Sequence, residues 1–206
     1  TLSFSSPPSQ AITDWLVVTF ARLTSLFVIW VPRRFKEDRQ TSQQVMALVQ
    51  QLGARATEVV QLNWNVLEVG LVAAVNWPVE LRHKIHWLEV CTSPASTLAD
   101  FRLVASKFDR LNKLWICLTG GDVSVVGVIN QLGALTQLKI LNVFIAEPAR
   151  QVLPPLVFPS MAHICTVRLD TVTEFKLRIH PSDGSVSLDE LRTMAINMAR
   201  ASFPNC

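Results

Sequence analysis

The chain has 206 residues, of which 50% are hydrophobic and 17% charged. Disordered segments show the opposite balance, so a packed interior is expected, and 7 Gly with 11 Pro exclude collagen and flexible linkers. A net charge of +3 from 19 basic and 16 acidic residues gives no electrostatic case for nucleic acid or an anionic membrane.

The first elements are read in chain order. Leu2 and Phe4 alternate like the tail of a strand, and Ser5-Ser6-Pro7-Pro8 leads to a helical pattern after Ser9: Ile12, Leu16, Thr19, Phe20 and Leu23. The apolar run over 12–31 contains Asp14 and Arg22, and that over 66–79 contains Glu68, so neither reads as a membrane span. Arg33-Arg34-Phe35-Lys36, followed at once by Glu37 and Asp38, reads as a solvated loop after a strand. Thr41-x-x-Gln44 has capping-box form and opens a helix carrying Val45, Leu48, Val49 and Leu52, closed by Gly53. Leu98, Phe101, Val104, Ala105 and Phe108 form another helical face after Ser96.

Gly120-Gly121-Asp122 is a turn after a strand; with no Lys-Ser/Thr and no third glycine it lacks a phosphate-loop pattern. Residues 161–170 and 173–180 both read as strands, an irregular insertion. Ser187-x-x-Glu190 is a further capping box, ahead of Leu191, Met194, Ala195 and Met198.

Between the helices a motif recurs. Leu111, Leu114, Ile116 and Leu118 have the form L-x-x-L-x-I-x-L, and Leu135, Leu138, Ile140 and Asn142 the form L-x-x-L-x-I-x-N. Leu23, Leu26, Val28 and Trp30 repeat the shape, with weaker copies starting at Thr57 (Val60, Leu62, Trp64), Ile85 (Leu88, Val90, Thr92) and Met161 (Ile164, Thr166). The starts are 34, 28, 26, 24 and 26 residues apart. This resembles the leucine-rich repeat, with its L-x-x-L-x-L-x-x-N core and about 20 to 29 residues per unit.

The resemblance implies an α/β fold: a right-handed solenoid with a parallel β-sheet on its concave face and helices on its convex face, spanning residues 1–206. A single parallel-sheet enzyme domain predicts the same alternation. It would carry a phosphate or nucleophile signature after a strand, and its strands would be near-continuous apolar runs. Neither is seen, and Glu89, Asn112, Lys113, Gln137, Lys139 and Arg168 interrupt the strands, as one open face requires. Phe203-Pro204-Asn205-Cys206 echoes Phe158-Pro159-Ser160-Met161, where a unit starts, so the expectation is an array cut at both ends and lacking both caps.

No catalytic or metal constellation stands out, so no cofactor is expected. His83-x-x-His86 with Glu89 and Cys91 is the one metal-like cluster, but residues three apart on a strand point to opposite faces. There is no G-x-S-x-G elbow, and Asp170, Glu174, Asp183, Asp189 and Glu190 are scattered over loops and a helix start. Cys91, Cys117, Cys165 and Cys206 form no C-x-x-C pair, and no Asn-x-Ser/Thr site occurs. With no basic n-region and apolar core at the start, these features fit a cytoplasmic or nuclear protein.

In a leucine-rich array the consensus positions pack inward and the intervening residues line the open sheet. The expected column is Phe27, Gln61, Glu89, Trp115, Lys139 and Cys165; Ile29, Asn63, Cys91, Cys117 and Leu141 lie beside it, flanked by Trp87, His163 and Arg168. Exposed aromatics beside mixed charges have the composition of protein-binding hot spots. The expected partner surface is therefore Phe27, Gln61, Trp87, Glu89, Trp115, Lys139 and Arg168, taking a protein rather than nucleic acid or membrane. The irregular repeats and Phe-Pro lead-ins are similar to the repeat region of F-box-type proteins, which implies substrate recognition for a ubiquitin ligase whose scaffold is reached through other domains. Similar repeats in immune receptors imply ligand sensing instead, and a parallel-sheet α/β enzyme domain with an unrecognised site is the further alternative.

Overall fold

A computed structural model describes residues 2–4, 9–19, 25–30, 50–51, 58–64, 78–92, 96–118, 123–145, 166–179 and 188–206. Among the described residues seven strands form one sheet: β1 (Leu2–Phe4), β2 (Ser25–Trp30), β3 (Glu58–Trp64), β4 (Trp87–Cys91), β5 (Lys113–Leu118), β6 (Ile140–Ile145) and β7 (Glu174–Ile179). Spatial order equals chain order, and every neighbouring pair is parallel. The described helices are α1 (Gln10–Thr19), α2 (Val79–Arg82), α3 (Leu98–Lys107), α4 (Val125–Gln131), which runs into a 3-10 turn (Leu132–Ala134), and α5 (Leu188–Ser202). The fold is α/β.

Strand order decides where the helices can sit. Crossovers between parallel strands are almost always right-handed, so a sheet that grows in one direction carries all its crossover helices on one face. A doubly wound sheet must reverse its order to place helices on both. Among the described strands the order never reverses, so no topological switch point arises, the usual ligand site of open α/β sheets.

Burial follows this rule. Strands β5 and β6 both alternate between half-buried and buried residues along their length. The buried set, Leu114, Ile116, Leu118, Leu141, Val143 and Ile145, shares a core with Phe101, Val104 and Ala105 of α3 and Val126, Val128 and Ile129 of α4. Parallel sheets are usually apolar on both faces; here the second set is Lys113, Trp115, Cys117, Ile140, Asn142 and Phe144, all half-buried.

Register aligns one position across the strands. Leu2, Val28, Leu62, Leu88, Leu114, Leu141 and Phe175 occupy one position across the seven strands. The intervals between them are 26, 34, 26, 26, 27 and 34 residues. Backbone hydrogen bonds repeat at the same intervals. Ile85, Leu111, Leu138 and Val172 each donate to the carbonyl three residues earlier, on Arg82, Phe108, Leu135 and Leu169. All eight of these residues are buried, at 0–9% exposure. One residue further on, a single carbonyl accepts two N–H groups from the next unit: His86 from Asn112 and Lys113, Asn112 from Lys139 and Ile140, and Lys139 from Thr173 and Glu174. This turn satisfies backbone groups that would otherwise enter the core unpaired.

Three expected frames are thereby corrected. Leu138, not Leu135, starts the β6 unit, three residues later than read from sequence. Leu135, Leu138 and Leu141 recur every third residue, so the template fits equally well one step early. At 23 and 57 the frame lies two residues later, placing Val28 and Leu62 beside Leu88, and the β2–β3 register shifts between Leu26 and Phe27, where β3 carries the extra residue Val60. The Ile85 frame stands as read, with Leu88 beside Leu114. Residues 166–170 are not a strand, and β6 pairs directly with β7; residues 161–165 lie outside the described residues. Asn130 Oδ1 accepts from Thr166 N at 2.8 Å and so ties this segment to α4.

The helix over 98–108 is α3, capped by Thr97 rather than Ser96. The Thr97 N–H donates to Asp100 Oδ2 at 2.7 Å, since Asp100, three residues on, closes the box from within the first turn. Helix α1 begins one residue after Ser9, whose Oγ lies 3.4 Å from Ile12 N. Of the helix expected over 41–53, Gln50 and Gln51 are described and helical.

Candidate functional site: the open face of the sheet

The open face is arranged in rows that cross the strands. The middle row runs Glu89, Trp115, Asn142 and Lys176, and Ile29 and Asn63 hold the same register position on β2 and β3. The row at the strand starts holds Trp87, Lys113, Ile140 and Glu174, and the row at the strand ends holds Cys91, Cys117, Phe144 and Arg178. Neighbouring strands lie about 4.8 Å apart, so adjacent side chains within a row are in reach of one another.

The side chains engage across strands. Lys113 Nζ lies 3.5 Å from the centroid of the Trp87 ring, a cation–π contact between β5 and β4. Lys176 forms an ion pair with Glu174. That hydrogen bond, then the charge of Lys176 and more weakly that of Lys113, holds the Glu174 carboxyl below the ordinary glutamate range against a smaller opposing effect of desolvation. Two polar atoms on this face, Trp87 Nε1 and Asn142 Oδ1, are buried without a hydrogen-bond partner. A buried group left unpaired costs about 1–3 kcal/mol.

The expected partner surface is therefore assembled in part. Trp87, Glu89 and Trp115 come together, half-buried, on adjacent strands. Phe27 pairs with Gln61 between β2 and β3, and nothing is described of their side chains. Lys139 is not beside Trp115: it is exposed just before β6, level with Asn112, and Asn142 takes the place beside Trp115. Leu141 belongs to the core at 0% exposure rather than to the open face. Both corrections follow from the three-residue frame shift, because an odd shift exchanges the faces. Arg168 lies off the sheet in the exposed segment before β7, 3.4 Å from Asp170. Cys165 and His163 fall outside the described residues.

Sequence reasoning put Lys113 on the open side but left it out of the partner surface, and it missed Asn142, Phe144, Lys176 and Arg178 as face residues. The signal was present in the alternation Leu141, Val143, Ile145, which is the apolar strand pattern offset by one from Ile140 and Asn142.

The metal reading of His83 and His86 dissolves in the turn between α2 and β4. His83 Nδ1 meets Asp109 Oδ1 at 2.6 Å, and His86 Nδ1 lies 3.3 Å from the Arg110 carbonyl. Neither residue sits on a strand, as the sequence argument assumed. Among the described residues no group of three or more His, Cys, Asp or Glu side chains could hold an ion, and no helix is long and apolar enough to cross a membrane. Cys206 is an exposed free thiol. No family model, curated protein or solved structure matches this chain.

Proposed function

We propose that the chain is an irregular leucine-rich-repeat solenoid and that its open sheet face binds a protein partner. One observation carries the reading: strand order equals chain order through the seven described parallel strands, and right-handed crossovers in such a sheet fall on one face. The recurring buried positions and the repeated carbonyl turns are what a repeat array requires, each unit covering its neighbour's core. Trp87, Trp115 and Phe144 supply large contact area at low entropy cost, and Glu89, Asn142 and Lys176 supply directional polar contacts. Substrate recognition for a ubiquitin ligase and ligand sensing in an immune receptor both use such a face. An enzymatic role has less support, since catalysis in open α/β sheets sits at a switch point that the described strands do not form. An exposed free thiol at Cys206 suits a reducing compartment, cytoplasm or nucleus.

A second apolar surface competes. On α1, Ile12, Trp15 and Val18 are 50%, 60% and 74% exposed. The test is affinity capture with the wild-type chain, Trp115→Ala and Trp15→Ala, each checked for folding by circular dichroism. The proposal expects one enriched partner that Trp115→Ala loses and Trp15→Ala keeps. The reverse pattern moves the binding surface to α1 and overturns it.

A further inference from the structure

We infer that the β5–β7 part of the open face receives an extended acidic polypeptide segment carrying apolar side chains. This rests on the open-face reading and specifies the partner's chemistry. The argument is charge complementarity at one end of the sheet. Lys113, Lys176 and Arg178 lie on this part of the face, and Lys139 stands at its rim before β6. Against these four cations, the described residues of this part of the face hold one carboxylate, Glu174, which Lys176 already pairs and whose ionised form Lys113 also favours. Glu89, the other acid, lies beyond Trp115 on β4, so the middle row runs from acid through aromatic and amide to base. Potential on this face therefore rises from β4 towards β7.

Between the cations the surface is apolar and hydrogen-bonding. Trp115, Ile140 and Phe144 are half-buried, a surface for Leu- or Phe-like side chains. Asn142 Oδ1, at the centre of the patch, is a buried acceptor with no donor, which a backbone N–H of an extended peptide reaching it would satisfy. An acidic peptide meets all three requirements: carboxylates for Lys176 and Arg178, a side chain for Trp115 and Phe144, and a donor for Asn142. Nucleic acid fits less well. Its affinity comes from neutralising many phosphates, and here an ion pair and a nearby acid dilute the cations.

The test uses the intact chain and three fluorescent probes of equal length: a peptide alternating Asp and Leu, its Lys and Leu counterpart, and oligothymidylate. The acidic peptide is expected to bind saturably and more weakly as salt rises. The double variant Lys176→Glu/Arg178→Glu should weaken that binding roughly tenfold or more and raise affinity for the basic peptide. Lys176→Gln/Arg178→Gln gives an intermediate loss and guards against misfolding. A basic peptide bound preferentially, with loss on Trp115→Ala, overturns the acidic class while the open-face reading stands. Oligothymidylate bound more tightly than either peptide, with loss on the double variant, overturns both. Acidic-peptide binding indifferent to Trp115→Ala and to charge reversal also overturns both. If no probe binds, the acidic class fails and the capture experiment alone judges the face.

Discussion

Lys113 on β5 places its ammonium 3.5 Å from the centre of the Trp87 ring on β4, and the two residues are in direct register. The contact fixes the indole on the open face and holds a cation over its electron-rich side. A double-mutant cycle with Lys113→Met and Trp87→Leu, followed by urea unfolding, is expected to give a coupling of about 0.5–1 kcal/mol. A coupling of zero would mean that the two side chains do not meet.

The two faces of β6 should respond differently to truncation. Leu141 is fully buried, whereas its neighbour Ile140 is half-buried on the open face. Leu141→Ala is expected to cost about 2–5 kcal/mol. Ile140→Ala should cost clearly less. Chemical denaturation of the two variants distinguishes the observed frame from one shifted by three residues, which reverses the ranking.

Gly127 of α4 lies against the Leu98 side chain of α3. A Cβ there would lie 2.9 Å from Ser124 Oγ and 3.0 Å from both methyl carbons of Leu98. Ser124 Oγ also accepts from Gly127 N at 3.0 Å, capping α4. Alanine favours a helix by about 1 kcal/mol over glycine, but here the clash should win. Gly127→Ala is expected to destabilise by about 1–3 kcal/mol. Thermal unfolding is the check, and a raised midpoint would contradict the packing.

Glu174 should titrate below the ordinary glutamate range, because Lys176 favours its ionised form. A carboxyl whose folded value is depressed stabilises the fold above the unfolded-state value and loses that contribution as pH falls through the folded value. Carboxyl NMR titration should show the low midpoint, and Lys176→Met should move it up. Stability measured through the same acid range should fall less steeply in that variant. An unchanged midpoint would exclude the ion pair in solution.

Much of this architecture is legible from residue types, and the failures share one cause. Leu88, Leu114 and the face of α3 are correctly placed, because β-period and helix-period patterns are unambiguous there. At β6 the three leucines at 135, 138 and 141 satisfy the repeat template in two frames. Only the carbonyl turn at Asn112 and Lys139 decides between them. That turn is a backbone arrangement with no residue-type signature. It decides which of Leu141 and Asn142 faces the open side, so Lys139 was drawn onto the site and Asn142 left off. Arg168 was misplaced because 166–170 has strand-like alternation but is held by Asn130 of α4 rather than by a neighbouring strand. Glu89 and Trp115 were brought together correctly because the units at 85 and 111 have identical spacing.

The most direct test of a one-sided sheet is thiol accessibility on its two faces. In a background with the native cysteines replaced, Trp115→Cys, Asn142→Cys, Leu114→Cys and Leu141→Cys are each exposed to a charged thiol reagent. Positions 115 and 142 should react fast, and positions 114 and 141 only as fast as the fold opens. The paired variant Trp115→Cys/Asn142→Cys should also cross-link with a short bis-thiol reagent, as neighbours on adjacent strands. Equal protection of all four positions would show a second layer covering the sheet and contradict the open face on which the proposed function depends.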